Sequence, residues 1–159
     1  MILSKQNFRR SRLEKYLRTR HLFHIFIGKF IKKGNRFLVV KHFVKALVRL
    51  KLQEKWPILY MLTNIYNDLK PTLDLKSRFS SGINYYLPSL ITDRKAQTLL
   101  LIWFCKAVAS YTDRKFSGRL YSEIKLISEG GGGRSRGYRT DHYNLIRKNK
   151  ILLFRFKNN

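Results

Sequence analysis

LKPTLDLKSRFSSGINYYLP, residues 69–88, is the stretch whose reading decides the fold. Pro71 stops whatever helix precedes it, because proline brings no backbone N–H and clashes with the preceding turn. The hydrophobic period then changes. Leu73 and Leu75 alternate with Asp74 and Lys76, and Ile83, Tyr85 and Leu87 alternate with Asn84 and Tyr86. Alternation predicts two strands, and Ser80, Ser81 and Gly82 between them predict a hairpin tip. The same alternation places Leu73 and Leu75 on one face, with Asp74, Lys76 and Arg78 on the other.

On both sides of this stretch the period is helical. Leu13, Tyr16, Leu17, Phe23, Phe26, Ile27, Phe30 and Ile31 recur at three-to-four spacing until Gly34 and Asn35. Phe37, Val40, Val44, Leu47 and Leu50 predict the apolar side of a second helix, and Ile58, Met61, Leu62, Ile65 and Leu69 that of a third opening at Pro57. Downstream, Thr92 or Asp93 suits the cap of a fourth, with Ala96, Leu99, Leu100, Trp103, Ala107, Val108 and Tyr111 inward. Phe116, Leu120, Ile124 and Ile127 define a fifth. Gly130 to Gly133 end it, a basic loop from Arg134 to Arg139 follows, and Asp141 opens a last helix. The expectation is a mainly α single domain of about six helices, with one protruding β-hairpin between the third and fourth.

The chain has 159 residues and is 44% hydrophobic, enough for one packed core. Its 34 Lys and Arg stand against 9 Asp and Glu, a formal charge of +25. From Lys15 to Lys51 there are eleven cations and no acid. Such a surface calls for a polyanion, although the field alone does not separate nucleic acid from an anionic membrane or an acidic protein. The uncharged run Ala96 to Cys105 is half of the roughly 20 residues that span a bilayer. The lone Cys105 is expected to be a small buried hydrophobe, since one cysteine allows no disulfide within the chain. The first twenty residues carry seven cations and one acid, which suits a targeting segment. They are expected to remain as a basic arm.

Catalytic constellations are wanting. His21 and His24 have no neighbouring carboxylate or cysteine to complete a metal site, and neither a nucleophilic triad nor an H-E-x-x-H pattern is present. The glycines 130–133 lack the spacing of a phosphate-binding loop and are expected to act as a flexible hinge. The arginines beside them are suited to bidentate phosphate contacts, with Tyr138 as a stacking surface or a packing residue. Phe26 and Phe30, at helical spacing, are expected in the core.

Several segments then resemble the S-seven family of small-subunit ribosomal proteins. FIGKFIKKGNR, residues 26–36, is similar to the family's F-I-x-K-L-M-x-x-G-K-K, and residues 69–78 resemble V-R-P-x-V-E-V-K-S-R. Tyr85, Leu87 and Pro88 fit Y-Q-V-P; Leu99 and Trp103 fit L-A-M-R-W; Arg119, Leu120 and Glu123 fit R-L-x-x-E. Glu129, the glycine-rich loop, His142 and Phe154, Arg155, Phe156 stand where the family has Glu, a glycine-and-lysine loop, His and Tyr-Arg-Trp. Phe79 replaces a second family Arg, Tyr86 replaces Gln, and Ile102 stands at the Arg of M-R-W.

The resemblance covers about residues 20–159. It implies a basic arm at 1–20 and a helical domain at 21–159, with the hairpin at 72–88. It also implies a structural, non-enzymatic constituent of the small ribosomal subunit, without cofactor or metal. Its partners would be the 3′ major domain of small-subunit rRNA, neighbouring head and platform proteins, and nearby exit-site tRNA and mRNA. The implied RNA contacts are Arg9, Arg10, Arg12, Lys32, Lys33, Arg36, Lys76, Arg78, Arg94, Lys95, Arg114, Lys115, Arg134, Arg136, Arg139 and His142, with Phe79, Ser80, Ser81 and Gly82 at the hairpin tip. The Phe, Tyr, Lys, Asn and Ile content points to an organelle, the mitochondrial matrix first, with other organellar or bacterial-type ribosomes as alternatives. The competing functional classes are an RNA-binding assembly factor or chaperone and a basic peripheral membrane protein.

Overall fold

The computed structural model describes residues 20–157, with side chains through residue 153. Helix α1 is described over residues 20–30. It is followed by α2 (Arg36–Glu54), α3 (Ile58–Leu69), β1 (Leu73–Ser80), β2 (Ile83–Leu90), α4 (Asp93–Ser110), α5 (Phe116–Ser128) and α6 (Arg134–Lys157). Among the described residues there are thus six helices, with the antiparallel hairpin between the third and fourth, as expected.

The breaks follow local chemistry. Lys33 and Gly34 take φ of 51° and 76°, turning the chain out of α1. Lys55 ends α2 in the left-handed region, and Pro57 stands just ahead of α3 in an extended conformation instead of inside its first turn. Thr92 occupies the cap position of α4 without making a side-chain cap bond, while Asp93 supplies a negative charge to the first turn.

The core joins Phe26, Phe43, Leu50, Met61, Leu62, Ile65, Leu69, Leu100, Phe104, Leu120 and Ile124, all fully buried. Burying each such side chain stabilises the fold by about 1.5–3 kcal/mol. Phe26 lies between Phe43 and Phe104, at centroid separations of 6.3 and 5.3 Å, and half-buried Phe30 packs edge-on to Phe104 and Phe116. Both residues therefore belong to the core. On α4, Leu99 is only half-buried, and Tyr111 lies just past the helix end.

Helix α2 differs from its expected orientation. Its buried residues are Val39, Phe43, Ala46, Leu47 and Leu50. Phe37 and Val44, expected inward, are exposed, and Val40 is half-buried. The helix carries apolar residues on two sides, so periodicity alone selects neither.

The hairpin is longer than expected, with a ladder running from Leu73↔Leu90 to Ser80↔Ile83. Ser80 is the last residue of β1, and the turn is the pair Ser81–Gly82, both at positive φ, the geometry that matches strand twist in two-residue hairpins. Asp74 departs from the predicted outward face, while Lys76 and Arg78 on that face are exposed as expected. Asp74 is 8% exposed, whereas Leu73 and Leu75 are half-buried.

The largest departure lies after α5. The segment Arg134–Arg139, expected as a basic loop ahead of a helix at Asp141, forms the first turns of α6. The cause is Glu123, buried on α5 with no exposed surface. Its Oε2 accepts from the Tyr111 hydroxyl at 2.8 Å and the Arg134 amide at 3.1 Å. Its Oε1 accepts from the Ser135 amide at 2.9 Å and from the Ser135 hydroxyl. A carboxylate from another helix thereby satisfies the amides that α6 would leave unpaired at its start. The glycines are the approach to this bond. Gly130 and Gly132 hold φ of 75° and 72°, and a Cβ on Gly133 would lie 2.6 Å from Glu123 Oε1.

Gly133→Ala is therefore expected to destabilise the protein by about 1–3 kcal/mol, because it displaces a buried carboxylate from its donors. Gly131→Ala, whose added carbon would meet only the Leu126 carbonyl oxygen at 3.7 Å, should cost clearly less. Urea unfolding of the two variants checks this; equal midpoints would show that the carboxylate moves without cost.

Candidate nucleic-acid interface

The predicted contact residues divide into two populations. Lys32, Lys33, Lys76, Arg94, Arg114 and Lys115 are exposed and have no ion-pair partner among the described residues. Arg78 is also exposed on β1, opposite Tyr85 of β2. Arg9, Arg10 and Arg12, with residues 1–19 of the basic arm, lie outside the described residues, as do the side chains of Phe154, Arg155 and Phe156.

The second population is committed within the molecule. Arg134 donates to the Ser110 carbonyl and lies 4.2 Å over the Tyr111 ring. Arg136 pairs with Asp68 at 3.0 Å and donates to the Gly130 carbonyl, while Arg139 approaches the same carboxylate at 3.6 Å. Arg36 contacts His24 Nδ1 at 3.0 Å, bridging the turn between α1 and α2. These side chains keep part of their charge at the surface, but their geometry is set by protein groups.

Lys95 and His142 hold the base of the hairpin. Lys95 forms an ion pair with Asp74, and His142 Nε2 lies 3.6 Å from the same carboxyl and 3.2 Å from the Leu73 carbonyl oxygen. The His142 ring rests on Trp103, with centroids 5.2 Å apart. The Thr72 amide donates to the Tyr143 hydroxyl at 3.0 Å, and Lys70 bridges to Asp93 at 2.7 Å across the two ends of the hairpin. Burial works to raise the Asp74 carboxyl. The Lys95 hydrogen bond, the Leu75 amide and the charges of Lys95 and His142 outweigh burial and hold it below its ordinary value.

Beyond this clamp the hairpin projects with Lys76, Ser77, Arg78 and Phe79 exposed. Phe79 is 70% exposed and Ile83 56%, so the tip offers apolar as well as cationic contacts.

Two clefts gather cations that come from separate segments. Lys32 and Lys33 join Lys29, Lys106 and Arg119 around an apolar groove of about 690 Å³ floored by Phe30, Val39, Val108 and Phe116. Arg114 and Lys115 join Arg49 and Tyr121 around a cleft of about 440 Å³ that Asp113 also lines. Lys29, Arg49, Lys106 and Arg119 are not among the contacts that the sequence pattern implies. For Lys29 and Arg49 the available signal was the long stretch without acids; Lys106 and Arg119 are brought there only by packing of α4 and α5. Cys105 lines the first groove, half-buried, and its thiol is pushed up to about 11 by burial, against the opposing pull of Lys29 and Lys32. It is a poor nucleophile there.

Among the described residues, no helix is long and apolar enough to cross a membrane. The family pattern described as Ribosomal protein S7p/S5e matches residues 3–143. Small ribosomal subunit protein uS7 of Thermus thermophilus is 27% identical over 108 residues, covering 68% of this chain and 69% of that protein. The uS7 of Pelagibacter ubique is 23% identical over 126 residues, with coverage of 79% and 80%. The uS7c of Bigelowiella natans is 28% identical over 113 residues, with coverage of 70% and 71%. A cationic helical body with a clamped hairpin is thus of the small-subunit ribosomal class. The chain belongs to the S7p/S5e family of ribosomal proteins, as a structural constituent of the ribosome and not an enzyme.

The Asp74 clamp has a testable pH signature. Because its folded value is lowered, its stabilising contribution is complete above the unfolded value of about 3.9 and is lost as pH falls through the folded value. Asp74→Asn should lower the thermal midpoint at neutral pH, and the gap from the parent protein should close below about pH 4. A gap that stays constant down to acid unfolding would remove Asp74 from the clamp.

Proposed function

We propose that the chain binds the 3′ major domain of small-subunit rRNA, organises the subunit head, and presents its hairpin to the exit-site tRNA and the mRNA exit region. The observation that carries this is the set of exposed cations without acidic partners among the described residues: Lys32 and Lys33 at the α1–α2 turn, Lys76 on the hairpin, Arg94 at the start of α4, and Arg114 and Lys115 in the α4–α5 loop. Separate basic segments on one rigid body suit the phosphates of one folded RNA, which proteins recognise by shape and backbone. In this reading Lys32, Lys33, Arg94, Arg114 and Lys115 contact the rRNA, Arg36 does so from its seat on His24, and Lys76, Arg78 and Phe79 reach outward on the hairpin. Arg134, Arg136, Arg139, Lys95 and His142 contribute field and shape while fixing the protein. The basic arm at residues 1–20, including Arg9, Arg10 and Arg12, adds a further RNA contact to the domain at 21–159.

Neighbouring head and platform proteins complete the partners. The ribosome is placed in the mitochondrial matrix, a reading supported by the Phe, Tyr, Lys, Asn and Ile content.

Affinity for an rRNA fragment of the 3′ major domain should fall on the order of a thousandfold between 50 and 200 mM salt, as for roughly 6 to 10 phosphate contacts. Lys76→Ala with Arg78→Ala should keep the unfolding free energy within about 1 kcal/mol while weakening RNA association or exit-site function. Filter binding across salt concentrations and footprinting of purified variant subunits measure both. Salt-independent binding, or normal footprints with normal translation, would overturn the assignment.

A further inference from the structure

The side of α2 turned away from the core is itself apolar. Phe37 is 82% exposed, Val44 42%, Val48 44% and Leu52 75%. Single exposed apolar residues are ordinary, but these four form a line. At about 100° per residue, Phe37, Val44 and Val48 fall within about 40° of one another, and Leu52 extends the line toward the helix end. The line runs for about 22 Å at the helical rise. It lies opposite Val39, Phe43, Ala46, Leu47 and Leu50, which carry the helix's packing against the core. The fold therefore does not need it.

Its surroundings specify the occupant. Lys41, Lys45, Lys51 and Lys55 stand beside and between the apolar residues, all exposed. The one acid of the helix, Glu54, is drawn to the other side by Lys125 at 2.6 Å. We propose that this face of α2 docks an amphipathic helix of another protein, with apolar residues at three-to-four spacing and Asp or Glu flanking them.

A second copy of this chain would set lysines against lysines and is disfavoured by charge. RNA would satisfy the lysines but leave Val44, Val48 and Leu52 against sugar and phosphate, since aliphatic side chains offer no platform for a base. An acidic helix satisfies both elements, filling the apolar line while its carboxylates meet the lysines, the pairing logic of helix seams with charged flanks. The inference rests on the ribosomal reading, because the partner is sought within the subunit.

The test uses a photoreactive side chain at Val48 in the full chain, incorporated into purified small subunits, with crosslinks mapped to residues. The expected product joins α2 to a segment of another protein that has acids flanking an apolar helical pattern. A crosslink confined to rRNA, to a second copy, or to a segment without acids overturns the proposal, as does no crosslink from subunits that contain the chain. Val44→Ser with Val48→Ser should leave the isolated protein's thermal transition and the subunit's rRNA footprint unchanged, while lowering capture of that partner by about tenfold or more. Unchanged capture by this variant would also overturn it. Failure of the parent chain to enter subunits at all would instead sink the ribosomal reading, so the two failures are distinguishable.

Discussion

The bond between the Glu123 carboxylate and the start of α6 is the joint on which the second half of the molecule depends. Four donors converge on it, from the end of α4 through Tyr111 and from α6 through the amides of Arg134 and Ser135 and the Ser135 hydroxyl. Burying a carboxylate is costly, and only a full set of donors makes it stabilising. The glycine loop permits the approach, so sequence, backbone conformation and electrostatics agree at one point. A glycine-rich loop at a helix start ordinarily suits an external anion. Here the anion is the protein's own.

The same logic governs the other acids. Glu54, Asp68, Asp74, Asp93 and Glu129 all sit in ion pairs at junctions between elements or at helix ends. With Glu123, six of the nine acidic residues serve internal architecture. The protein uses its few negative charges to fix its elements against one another and leaves positive charge on the outside. Its large net charge is therefore compatible with a well-specified body, because attraction is concentrated at the junctions between elements while repulsion is dispersed over a surface that a polyanion can cover.

The hairpin and its place among six helices were legible because Pro71 and the change of period are local signals. The core face of α3 was legible for the same reason: Met61, Leu62, Ile65 and Leu69 are apolar on one side only. Helix α2 was not, since both of its sides are apolar and the core's choice depends on α5 packing against it. Asp74 was misassigned because alternation assumes that the polar face is the wet one, whereas Lys95 and His142 make a polar pocket at the hairpin base. The early start of α6 was hidden because its cap comes from Glu123, eleven residues before Arg134, and no local pattern encodes that. Of the candidate contacts, the sequence identified exposed cations at the turn and hairpin. It did not separate them from Arg136 and Arg139, whose partner Asp68 lies on another helix.

The clamp at the hairpin base also fixes a tolerance. Strands of eight residues reach roughly 26 Å at about 3.3 Å per residue, so the hairpin is a lever pivoted on Asp74, His142 and Tyr143. A tilt of about 5° at the pivot moves the tip by about 2 Å, most of a hydrogen-bond length. His142 and Tyr143 ride on α6, and α6 is seated by Glu123. The angular accuracy with which Phe79 meets whatever it faces is thus inherited from a carboxylate on a different helix.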